Sequence, residues 1–204
     1  MNKLVITLAL ILAFPLSSIV VHAADNSEEI SSIRQMQQNV LNLLYHAQPA
    51  TRLDLKNAVG YAVFSSADVA ALFVSASYGH GIAHDNKNSQ DTFMQMASAG
   101  VGLGVGAKTF RAVFVFTTPK AFYDFTHTGL DLSGNVDAAA KQGTKGRSYS
   151  GAADVLPGVH VYQITDTGLE AQVMVKGTKY WNDTALNADV NSARGAIIAT
   201  HYNQ

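Results

Sequence analysis

The residues Gly102-Leu-Gly-Val-Gly-Ala-Lys108-Thr109 are one substitution away from a phosphate-binding P-loop, with Ala107 where its second glycine belongs. They also fit the dinucleotide fingerprint Gly-x-Gly-x-x-Ala at Gly102, Gly104 and Ala107, with Asp124 about twenty residues on. Both motifs need the glycines to follow a strand and open a helix, because the helix N-terminus holds the phosphates. The run Thr109-Phe-Arg-Ala-Val-Phe-Val-Phe116 is instead β-branched and aromatic, which reads as a strand. Nucleotide binding is therefore rejected. The alternating glycines 100–106 are expected to form one strand of a curved sheet, where missing side chains permit close packing.

Other reactive types are scattered. His80 and His84 are four apart, but flanking Gly79 and Gly81 argue against a helix. On a strand the two would share a face about 13 Å apart, too far for a common metal ion. No Gly-x-Ser-x-Gly elbow occurs, and Ser148 and Ser150 sit in a glycine-flanked loop. Twelve Asp and three Glu show no pair that stands out by spacing. The chain has no cysteine, which excludes zinc-cysteine sites, thiol nucleophiles and a lipoprotein anchor. No catalytic residue, metal ligand or cofactor site is assigned. The one dense cationic cluster is Lys141, Lys145 and Arg147, within Lys-Gln-Gly-Thr-Lys-Gly-Arg; Lys108 and Arg111 form a sparser second patch. Such positives can engage lipid phosphates, although a solvated loop is the plainer reading.

The elements that must position these residues begin after a leader. Met1–Lys3 is short and basic, Leu4–Val21 is almost wholly apolar, and Val21-His22-Ala23 resembles a cleavage site. A signal peptide over 1–23 is expected, with an uncleaved anchor as the alternative. Cleavage would leave 181 residues with 13 basic against 15 acidic side chains, a net charge of −2. That balance disfavours a nucleic-acid binder, and 48% hydrophobic with 14% charged residues is a folding composition. The expected location is periplasmic or secreted.

Apolar residues Ile30, Ile33, Met36, Val40, Leu41 and Leu44 recur at mostly helical spacing, after possible caps at Asn26 or Ser27. This predicts an amphipathic helix that packs on a sheet and stops near Ala47–Pro49. Strands are expected over 58–64, 70–78, 82–84, 92–97, 111–116, 159–164 and 169–175. Turns are expected at Ser65–Asp68 and Asp85–Ser89, with a hairpin at Thr165–Gly168. Pro119 opens a short helix over 120–125, and Trp181–Asn187 reads as a turn or short helix. The fold class is α+β: a curved, mainly antiparallel, barrel-like sheet packed with an N-terminal amphipathic helix and short helices. A single domain covers 24–204.

In this order the blocks resemble a known family, the SYLF or Ysc84-type domain. The resemblance is carried by Lys56-Asn-Ala-Val-Gly-Tyr-Ala-Val-Phe64, Ser77-Tyr-Gly-His-Gly81, the glycines 100–106 and Val113–Phe116. It continues through Asp137-Ala-Ala-Ala-Lys141, Pro157-Gly-Val-His-Val-Tyr162, Thr167-Gly-Leu169, Lys176-Gly-Thr-Lys-Tyr180 and Leu186-Asn187. Together these span about residues 50–190. Ser65 stands where bacterial members often have proline. The resemblance implies an α+β domain that binds anionic phospholipids or phosphoinositides and, in eukaryotic members, actin. For an exported chain actin is not expected, nor is any nucleic acid or nucleotide. The expected partner is an anionic phospholipid or membrane surface, met by Lys141, Lys145, Arg147, Lys108 and Arg111, in a non-catalytic role. The alternatives are an envelope hydrolase or a protein-interaction module. Mass spectrometry of protein from its native host is expected to give an N-terminus at or near Ala24, whereas a full-length chain held in the inner membrane would identify the leader as an anchor.

Overall fold

A computed structural model describes residues 18–71, 74–101, 106–132, 153–165, 168–170 and 177–202. Helix α1 covers Ser18–Ala47, with a short α2 after it at Thr51–Asn57. Four long strands come next: β1 (Gly60–Ala71), β2 (Val74–Asp85), β3 (Gln90–Val101) and β4 (Gly106–Phe116). Helix α3 (Pro119–His127) leads into β5 (Leu130–Asp131). Then come β6 (Ala153–Leu156), β7 (Val159–Thr165), β8 (Gly168–Glu170), β9 (Gly177–Asn182) and the closing helix α4 (Thr184–Tyr202).

The strands form one sheet in the order β5-β9-β3-β2-β1-β4-β7-β6, with β8 also on β7. It is antiparallel and curls into a half-barrel, giving the expected α+β fold. Alternate side chains enter opposite faces. Inside the curl, Ala62, Phe64, Met94, Met96, Phe114, Phe116 and Tyr180 meet Phe122 and Phe125 of α3. Outside it, Val63, Val113, Val115 and Tyr162 receive Val40, Leu41 and Leu44 of α1 and Leu55 of α2. Ile82 and Phe93 on the same outer face pack with Ile33 of α1 and Leu186 of α4. Both faces are buried at the sheet centre, which is why Ala62–Phe64 and Ala112–Phe116 are unbroken apolar runs.

The apolar stripe of α1 is thus spent on the sheet, as its spacing predicts. The helix begins upstream of the expected caps, so Asn26 and Ser27 lie inside it, and the Asn26 amide instead donates to Asp189 on α4. Its end before Pro49 is as expected. Thr118 caps α3: its hydroxyl accepts the Ala121 N–H at 3.3 Å, with Pro119 at the first helical position. Gly129 ends that helix at φ +84°, its N–H donating to the Asp124 and Phe125 carbonyls at 3.1 Å each. Among the described residues no helix is long and apolar enough to cross a membrane.

Several expectations are corrected. Ser65–Asp68 is not a turn: β1 runs through it, paired on both sides, with Ser65 opposite His80 and Arg111. Gly79-His80-Gly81 is the middle of β2, not a break. Gly81 faces Phe64 across the ladder, and a Cβ there would lie 2.2–2.8 Å from three carbons of the Phe64 ring. The glycine is therefore a seat for an aromatic ring. The segment 100–106 is not one strand: Gly100 belongs to β3 and Gly106 to β4, strands separated by β2 and β1, and residues 102–105 lie outside those described. Because Gly106 opens a strand, it is not succeeded by the helix N-terminus that a phosphate loop needs. Trp181 lies in β9, and the helix after it is 19 residues long. Helix α2 has no clear periodicity in its seven residues.

Placing Ala at Gly81 should overpack the ring and destabilise the fold by about 1–3 kcal/mol. Urea denaturation is expected to show a lowered midpoint for Gly81→Ala, with a smaller penalty when Phe64→Leu is already present.

Candidate functional site

Of the basic residues singled out in the sequence, the structure places Lys108 and Arg111, both in β4. Lys141, Lys145 and Arg147 lie outside the described residues. The chain that carries them leaves after Leu132, whose N–H donates to the Thr178 carbonyl of β9, and resumes on β6. Those two strands lie at or next to opposite edges of the sheet. Lys108 sits in β4 opposite Asp68. Arg111 is opposite Ser65 on β1 and Ile164 on β7, half-buried and already engaged within the protein. Arg111 precedes the end of β4 at Phe116 by five residues, about 17 Å along a strand.

At that far end of β4 lies a groove of about 590 Å³. Phe116, Ala121 and Phe125 form its floor; Gly129 and Leu130 wall one side, and Leu156, Pro157, Gly158 and Val159 the other. It is the seam of the half-barrel, where residues leading into edge strand β5 come near the turn between β6 and β7. Helix α3 plugs the seam only in part. Leu156 is 42% exposed there. The polar lining is confined to Thr118 and the ion pair of Lys120 with Asp124 at 2.5 Å on α3. Volume and polarity are those of a site for an apolar ligand. Sequence reading missed it because its walls come from residues some thirty apart in the chain, and none is chemically conspicuous.

A second cavity, of about 110 Å³, lies between the C-terminal end of α2 and β4 and β7. Asp54, Asn57, Thr117, His160 and Tyr162 line it, and the Tyr162 hydroxyl donates to Asp54 at 3.0 Å. It has room for about three or four waters at ~30 Å³ each. One carboxylate and one imidazole line it, and the lining contains no serine.

The two histidines of β2 share the outer face but serve different acids. His84 Nδ1 lies 2.8 Å from Asp91 across the β2–β3 ladder, and the Arg34 guanidinium of α1 is 3.7 Å from the same carboxylate. Arg34 also lies over the Phe93 ring at 5.8 Å. His80 Nδ1 is 3.3 Å from Glu29 of α1. These contacts tie α1 to the sheet. Tyr61, stacked obliquely on His84, has its phenol pushed up to about 12 by burial, then by Tyr45 and Asp91. Inside the curl, burial alone drives the Tyr180 phenol well above its ordinary value. Among the described residues no three metal-ligating side chains converge.

Comparison with known proteins bears on this architecture. The family model Ysc84, described as Las17-binding protein actin regulator, matches residues 97–197, from β3 into α4. Beta cell expansion factor A of Aeromonas veronii is 31% identical over 155 residues, 76% of this chain and 58% of that protein. The chain thus spans less than two thirds of the length of this relative. The chain therefore carries a Ysc84, or SYLF, family domain, matched over residues 97–197.

Proposed function

We propose that this chain is an exported, non-catalytic binding module that holds anionic phospholipid at the cell envelope. Family membership fits a binding module. The observation that carries the lipid reading is the apolar seam groove, which opens beside the points where the segment bearing Lys141, Lys145 and Arg147 leaves and rejoins the sheet.

Magnitudes show why both parts are needed. A net charge of −1 for the whole chain gives no long-range attraction to an anionic surface. Three local positives contribute about 1 kcal/mol each, which alone is weaker than millimolar binding. The stripe of the 30–44 helix cannot add to this, since it is buried on the sheet. The groove can. Four to six methylenes entering it would contribute about 3–5 kcal/mol at ~0.8 each, bringing the sum towards the micromolar range. In this reading Lys141, Lys145 and Arg147 meet the phosphates and the groove takes part of an acyl chain. Lys108 and Arg111 are remote from it along β4 and have a lesser part. Actin is not proposed as a partner, since export would separate the chain from it.

Beads coated with phosphatidylethanolamine alone, or with added phosphatidylglycerol, test this. Retention is expected to rise with the phosphatidylglycerol fraction and to fall as salt increases. Replacing Lys141, Lys145 and Arg147 together by Ala should remove most of it; unchanged retention would clear these residues of the role. Leu156→Asp, at an exposed groove wall, is expected to weaken binding at least tenfold without unfolding the protein. No retention of the wild type on any lipid would sink the proposal.

A further inference from the structure

A second unassigned surface lies on the outer face of the sheet, beyond the cover of α1. Tyr78 of β2 and Trp181 of β9 stand on either side of β3, their ring centroids 6.5 Å apart and their planes at 55°. Register places Tyr78 opposite Ala97, and Trp181 opposite Gln95. A small alanine therefore sits beside Tyr78 on the strand between the rings, whose planes are inclined to each other. Tyr78 is 51% exposed, and Trp181 is half-buried. His80 closes one side, its ring edge-on to Tyr78 at 5.3 Å.

Some of the polar groups around the pair are committed. Asp183, buried, accepts from Gln95 Nε2 at 2.6 Å and from the Leu186 N–H at 3.1 Å at the start of α4. His80 Nδ1 lies 3.3 Å from Glu29 without a hydrogen bond between them. Lys179, two residues before Trp181, has its ammonium 3.8 Å from Asp131. The pair therefore offers π surface in a negative local field. The field is evident in the Tyr78 phenol, raised by desolvation and then by Asp183 and Glu29. Aromatic faces beside carboxylates suit a cation. A quaternary ammonium suits them without needing any hydrogen-bond acceptor. It is held by aromatic faces and diffuse negative charge.

We propose that Tyr78 and Trp181, with Glu29 and Asp183 behind them, form a binding site for a trimethylammonium group such as that of phosphocholine. The site is separate from the seam groove and does not depend on the anionic-lipid reading.

Trp181 is the only tryptophan of the chain, so intrinsic fluorescence reports this site directly. Titration with tetramethylammonium chloride and with phosphocholine, against sodium chloride at equal ionic strength, should give a saturable change with roughly millimolar affinity. Phosphoethanolamine should bind about tenfold more weakly. Tyr78→Ala is expected to lower affinity about tenfold, Tyr78→Phe to retain it, and Glu29→Gln to weaken it a few-fold. Tyr78 is half exposed, so these variants should keep the wild-type circular dichroism. The Lys141, Lys145 and Arg147 triple variant should bind phosphocholine normally, which separates this test from the previous one. Retention on phosphatidylcholine-coated beads, lost in Tyr78→Ala, would assign the source as a lipid headgroup; phosphocholine binding without bead retention would assign a soluble choline compound. Either supports the site. No saturable change up to about 100 mM tetramethylammonium, an equal response to phosphoethanolamine, or full affinity in Tyr78→Ala would overturn it.

Discussion

The arrangement depends on one contact, the Phe64 ring lying against Gly81. A side chain on β2 at that point would push the ring off the sheet. With the ring seated, Phe64 touches Phe114, Phe125 and Tyr180 at centroid distances of 5.7, 6.0 and 4.8 Å. Edge-to-face packing of this kind adds to the area it buries. The cluster makes the inner face thick at its centre, so the sheet wraps around it and α3 is drawn in through Phe122 and Phe125. The seam between the two sheet edges is the gap this curl leaves open.

The outer face obeys a different constraint. Its apolar residues are covered by α1, α2 and α4, which hold by hydrophobic burial with a few polar ties. Glu29 to His80 and Arg34 to Asp91 are exposed or half-exposed pairs, individually worth little. They set where α1 lies more than how firmly it is held. Past His80 this cover ends, which is why Tyr78 is exposed on a sheet whose centre is buried on both sides.

Much of the fold was legible in the residues, and most of the site was not. The stripe from Ile30 to Leu44, the Thr118-Pro119 helix start and the Thr165–Gly168 hairpin are local signals, and local signals survive folding. Strand limits failed where tertiary contacts overrode composition: Ser65–Asp68 looks like a turn, but pairing on both sides keeps it extended. Gly79 and Gly81 look like breaks, yet they answer close neighbours on β1. The seam groove and the Tyr78–Trp181 pair could not be read at all, because curl and register bring together residues far apart in the chain. The cationic run 141–147 was conspicuous for the opposite reason, being contiguous.

The sheet order also has a kinetic side. Strands β1, β2 and β3 are sequential neighbours joined by short connections, whereas β4 closes on β1 across some forty residues and β9 on β3 across some eighty. Loop closure of that length comes late in folding. The centre can therefore assemble as a three-strand meander before either flank is in place. The walls of the seam belong to the flanks, whose closure costs more chain entropy than that of the meander.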